Sequence, residues 1–135
     1  MKRWLMMLIA LVIALSALAV WSSVRAMGKR KREIGYEVSL RTYSDVLHPG
    51  MTRKELEEYL RSRNTNFSWI FTAFDGRTTS QYADLVKIGE ETAPWYCGEE
   101  YVYVAFEFSG VETYRQNDSD VLERIEIFQP DTGCL

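Results

Sequence analysis

From Trp4 to Val24 the chain carries no charged residue, and nearly every position is Leu, Ile, Val, Ala, Met or Trp. At a helical rise of about 1.5 Å per residue such a run spans roughly 30 Å, the thickness of a bilayer's hydrocarbon core. Trp4 and Trp21 stand near its ends, where indole rings favour the headgroup region. The run therefore reads as a membrane-spanning helix whose partner is the lipid bilayer. The competing reading is a cleaved signal peptide, with Lys2-Arg3 as its basic start and Val24-Arg25-Ala26 as the cleavage site, which would release a secreted domain. The apolar run is longer than the usual signal core, and Lys29-Arg30-Lys31-Arg32 follows it as stop-transfer flanks do.

Residues 1–33 form this anchor with its basic flank, and residues 34–135 are expected to be one small domain. Charge separates the two parts. The domain holds nine Lys+Arg against 18 Asp+Glu, whereas the anchor segment holds seven against one. An acidic domain without a stripe of basic and aromatic residues repels phosphate backbones, so no nucleic-acid partner is expected. The basic cluster fits anionic headgroups instead. Orientation is contested. The flanking Lys and Arg residues, two before the run and five after it, favour a cytoplasmic domain, whereas a cysteine pair favours an oxidising compartment.

Tyr36, Leu40, Tyr43 and Leu47 recur at helical spacing and predict a helix over 34–47, stopped by His48-Pro49-Gly50. Thr52-Arg53-Lys54-Glu55 is a capping box, with Met51 and Leu56 placed as a hydrophobic staple. Leu56, Tyr59 and Leu60 supply the buried face of a helix over 52–63, with Glu57 and Glu58 facing water and Asn64 as its cap. The period then changes to two. Alternation over 67–74, an apolar stretch from Ala83 to Ile88, an almost wholly apolar run over 101–108, and alternation over 121–128 predict three or four strands. A polar, acidic connection over 109–120 reads as a hairpin loop. The order implies an α+β fold: the transmembrane helix, then two helices packed on one face of an antiparallel meander.

Chemistry-bearing residues are few. The single histidine, His48, sits in a turn and cannot supply a metal cluster, so no metal and no cofactor are expected. Cys97 precedes the apolar strand and Cys134 is penultimate; in a meander these positions share an edge, and a disulfide would pin the tail to the sheet. Closing a loop of that length stabilises by about 4 kcal/mol in the chain-entropy model. Two thiols are the other outcome. Glu90-Glu91 and Glu99-Glu100 flank Trp95 and Tyr96, yet neighbours on a strand point to opposite faces and read as solvated edges. Asp118-Ser119-Asp120 lacks EF-hand spacing. Trp95, Tyr96, Tyr101 and Tyr103 would form a protein-binding patch if exposed together, although core packing suits aromatic residues equally. No residue is assigned a catalytic role.

The segment Pro49-Gly50-Met51-Thr52-Arg53-Lys54-Glu55-Leu56-Glu57-Glu58-Tyr59-Leu60 resembles the Gly-Met-Thr-x-x-x-Val-x-x-x-Leu helix opening of the SmpA/OmlA (BamE-like) small envelope proteins. That resemblance implies two helices followed by a three-stranded antiparallel sheet, no catalytic residue, and a protein partner in the bacterial envelope. Two departures stand out: no lipobox cysteine, and Arg61-Ser62-Arg63-Asn64 where the family has Leu-Gly-x-Pro. The second half, with Asp84-Leu85-Val86-Lys87-Ile88-Gly89, Pro94-Trp95-Tyr96-Cys97 and Gly133-Cys134-Leu135, is similar to uncharacterised membrane-anchored bacterial proteins. The sequence therefore leads to a membrane-tethered, non-catalytic interaction domain, periplasmic by its cysteines. A small-ligand-binding or catalytic domain using Cys97 and its neighbouring carboxylates is the alternative.

Overall fold

Two helices and four strands make up the computed structural model, which describes residues 2–72, 81–93, 96–109 and 116–130. In order they are α1 (Lys2–Ser44), α2 (Arg53–Ser62), β1 (Ser68–Thr72), β2 (Gln81–Glu91), β3 (Glu100–Ser109) and β4 (Val121–Phe128). The chain divides into two compact units, Met1–Gly35 and Tyr36–Leu135.

The anchor and the helix expected over 34–47 are one element, α1, of 43 residues. No proline interrupts it. Lys, Arg, Met and Glu, which fill the connection, all sustain a helix, and Gly28 and Gly35 weaken it without breaking it. In its first unit the large apolar side chains from Trp4 to Val24 are exposed on every side. Its polar interruptions are closed internally. Ser16 Oγ donates to the Ile13 carbonyl at 2.9 Å, and Ser22 and Ser23 donate to the Ala19 carbonyl at 2.9 and 2.8 Å. Every hydroxyl in the apolar run is thereby bonded to its own helix, as a spanning helix requires.

The second unit is an antiparallel meander in the order β1-β2-β3-β4. β3 pairs on both sides, which explains why it is apolar on nearly every residue. One sheet face presents Val86, Val104, Phe106, Phe108 and Leu122 to a core completed by Leu47 and by Leu56 and Leu60 of α2. Leu40 and Tyr43 from the last turns of α1 join this core, and the Tyr43 ring meets Phe106 edge-on at 5.6 Å. The opposite face holds smaller residues, Ala83, Leu85 and Ala105, with Ile70, Tyr103 and Phe128 around them. The expected α+β architecture is present, with four strands and two helices among the described residues.

Local signals place α2 well. Thr52 is the N-cap, its hydroxyl accepts from the Glu55 amide, and the Glu55 carboxylate accepts from the Thr52 amide at 2.8 Å. At the other end Asn64 adopts φ 52°, with its amide donating to the Arg61 carbonyl and the Thr65 amide donating to the Leu60 carbonyl. That is a Schellman closure, for which Asn is one of the few suitable non-glycine residues. Glu58 is exposed, whereas Glu57 is half-buried and pairs with Arg61 one turn on. Residues 73–74 of the first alternating stretch and residues 110–115 of the expected hairpin loop lie outside the described residues.

A close approach ties α1 to β2 at a bulge between Lys87 and Gly89. A Cβ at Gly89 would stand 2.5 Å from Tyr36 Cε1. The Tyr36 hydroxyl donates to Glu91 Oε1 at 3.0 Å. Gly89→Ala is therefore expected to displace the Tyr36 ring and destabilise the domain by about 1–3 kcal/mol. Thermal unfolding of the full chain in detergent measures this, and Tyr36→Ala in the same chain should remove most of the glycine effect.

Candidate functional site

A buried charged cluster stands at the start of α2. Arg53, the first residue of α2, has only 1% of its surface exposed, and its guanidinium lies between Asp84 of β2 and Asp120 of the turn before β4. Nε and Nη2 donate to the two carboxylate oxygens of Asp84 at 3.3 and 3.2 Å. Nη1 donates to Asp120 Oδ2 at 2.9 Å. The Phe108 ring covers the guanidinium at 4.2 Å. This planar, forked arrangement is one that Arg can make and Lys cannot.

Backbone geometry explains how the three residues meet. The capping box starts α2 at Arg53, and the turn over 117–120 supplies carbonyls to the free amides of its first turn. Arg53 N–H donates to the Asp120 carbonyl at 2.8 Å, and Lys54 N–H donates to the Asp118 carbonyl at 3.1 Å. Asp120 Oδ2 also accepts from the Asn117 amide at 2.9 Å, which closes the turn. Gly50 and Met51 exchange backbone bonds with Leu122, and Thr52 bridges to Val121. The approach to α2 and the start of β4 are thus laced together before any side chain is counted.

One cation faces two carboxylates, so the cluster carries an excess negative charge when all three are ionised. Burial pushes the Asp84 carboxyl up to about 6, against the opposing pull of Arg53 and with smaller upward contributions from Glu57 and Asp120. Glu55 moves the other way. The amide and hydroxyl of Thr52 hold its carboxyl below the ordinary range. Neither group offers an open position for a substrate: both Asp84 oxygens are taken by Arg53, and Glu55 is committed to the cap.

The other sequence-derived candidates are scattered. Tyr101 and Tyr103 meet edge-on at 6.4 Å on one strand, with Lys87 Nζ 3.7 Å from the Tyr101 ring, and both are half-buried. Tyr96 is 51% exposed, and Trp95 lies outside the described residues, so the four-aromatic patch is not assembled as one described surface. Trp69 of β1 is a further exposed aromatic, 60% exposed and edge-on to Tyr82 at 5.7 Å. His48 is exposed in its turn. Trp4 and Trp21 are exposed on α1. Among the described residues no three His, Cys, Asp or Glu side chains gather as a metal site.

Of the disulfide expected between Cys97 and Cys134, the second partner lies outside the described residues. Cys97 itself is half-buried and disulfide-bonded, and no cysteine among the described residues is free. A thiolate nucleophile is therefore not available there.

No family model, no curated protein and no solved structure matches this chain. The resemblance of Pro49–Leu60 to the SmpA/OmlA helix opening gains nothing from these comparisons.

Arg53→Ala leaves two buried carboxylates facing one another, and is expected to cost about 3–5 kcal/mol in stability. Arg53→Lys should recover little of that, because a single ammonium cannot satisfy the fork. The pH dependence has a definite sign. The folded Asp84 carboxyl, at about 6, holds its proton more tightly than an ordinary carboxyl at 3.8, so the fold binds more protons than the unfolded chain between those values. Stability should therefore rise as pH falls from above 6 towards 4. Asp84→Asn should flatten that rise in thermal melts across the same range, whatever its effect on absolute stability.

Proposed function

We propose that this chain is a membrane-tethered, non-catalytic interaction or assembly domain of the bacterial cell envelope. One observation carries the tether: a helix whose most apolar stretch has mean hydropathy 2.5 and no buried residue. So much contiguous exposed apolar surface far exceeds what a water-soluble monomer presents. The internally bonded serines support the same reading.

A non-catalytic role is supported by the closed state of the groups that could do chemistry. Cys97 is bonded, His48 stands in a turn, and the perturbed carboxylates of Glu55 and Asp84 are held by Thr52 and Arg53. Exposed Trp69 and Tyr96 are the aromatic anchors such a domain would offer to a protein partner. For the side of the membrane we favour the extracytoplasmic one. A bonded cysteine belongs to an oxidising compartment, although the flanking charges pull the other way. The likeness of the Thr52 helix start to SmpA/OmlA envelope proteins fits this placement as an analogy of fold.

Two measurements test the reading. Alkaline extraction of membranes should leave the full chain in the bilayer fraction, and release into the supernatant overturns the tether. Fusions of alkaline phosphatase and of a fluorescent protein at the C-terminus should give an active phosphatase and a dark fluorophore; the reverse pattern places the domain in the cytoplasm.

A further inference from the structure

The first unit carries a second surface besides its apolar one. Arg25, Lys29, Arg30, Lys31 and Arg32 occupy fewer than three turns of α1, and no acidic residue precedes Glu33. At about 100° per residue, Arg25, Lys29 and Arg32 share one side while Arg30 and Lys31 lie on the other. The charge is thus a collar around the helix, not a stripe along it. All five residues are exposed.

Two details orient the collar towards the apolar run. The Arg25 guanidinium stacks over the Trp21 ring at 5.5 Å, joining the last indole of the apolar stretch to the first cation. Arg32 folds back one turn, so that a Cβ at Gly28 would stand 3.8 Å from Arg32 Nη1. Lys29 lies 3.8 Å from the Glu33 carboxylate, and both side chains are largely in solvent, where such a pair is weak. The collar extends for about 10 Å along the axis, comparable with the depth of a headgroup layer.

Resting on the reading of α1 as a membrane helix, we propose that this collar binds anionic phospholipid headgroups and enriches them around the helix. Charge complementarity names the occupant. A ring of cations adjoining an exposed apolar cylinder matches a leaflet whose charge surrounds the helix, whereas a protein groove would engage one side. Each basic residue at an anionic surface strengthens attraction by about fivefold, so several acting together give marked selection.

The test uses the full chain in phosphatidylcholine vesicles containing a minor fraction of either brominated phosphatidylglycerol or brominated phosphatidylcholine, with tryptophan fluorescence as the readout. Wild type should be quenched several-fold more by the brominated phosphatidylglycerol. Lys29→Gln combined with Arg30→Gln and Lys31→Gln, or high salt, should bring the two lipids close to equality. Equal quenching in the wild type overturns the collar while leaving the tether intact. An undiminished preference in the triple variant overturns it too. Absence of quenching by either lipid overturns the membrane reading together with the proposal.

Discussion

The pairing of Arg53 with Asp84 and Asp120 is the constraint on which the domain's arrangement depends. Removing ions from water costs several kcal/mol each, and hydrophobic replacements of similar volume often serve stability as well. What apolar packing does not supply is registration. Leu56 and Leu60 could seat against Phe106 and Phe108 after a shift of one turn, because aliphatic surfaces are tolerant of sliding. The guanidinium fork meets Asp84 in one position, and the Asp120 turn meets the first amides of α2 in one position. The charged cluster therefore fixes where α2 begins relative to β2 and β4, while the leucines supply the burial. A registry role of this kind is the best-attested use of buried ions.

What the sequence disclosed and what it concealed follow from range. The capping box of Thr52 and Glu55, the Asn64 closure, the period-two strands and the central place of β3 are written in residues a few positions apart, and each is present. The Arg53 cluster joins residues 31 and 67 positions apart, and no local pattern points from one to another. Arg53 read as one more polar residue in a capped start, and Asp120 as part of an acidic loop. Asp84 did carry a signal. It is the only charge in Ala83-Asp84-Leu85-Val86, and a carboxylate in an apolar strand requires a partner. Its presence asked for a buried cation, though not for which one.

The helix α1 shows a different limit. Composition separates residues 1–33 from the rest in hydropathy and charge. A change in composition is not a change in backbone, however. The helix continues until Ser44 because Lys, Arg and Glu sustain helical geometry as readily as Leu and Ala do, and the stop comes only with the chain that leads to His48-Pro49-Gly50. Apolar, basic and core-facing segments follow one another along one element.

Perturbed carboxyls are often taken as marks of an active site, since catalysis needs protonation near neutrality. Here each perturbation has a structural cause that also occupies the group. Glu55 is lowered by the two Thr52 bonds that start α2. Asp84 is raised by the burial that comes with its place beneath α2, and Arg53 takes both of its oxygens. A general acid must reach a reacting atom as well as hold its proton near neutral pH, and Asp84 meets only the second condition. Its proton affinity is then a property of the fold: gaining a proton relieves the negative excess around Arg53 without exposing any group to a substrate. Arg53, Asp84 and Asp120 thus form a charged core committed to the domain's own geometry.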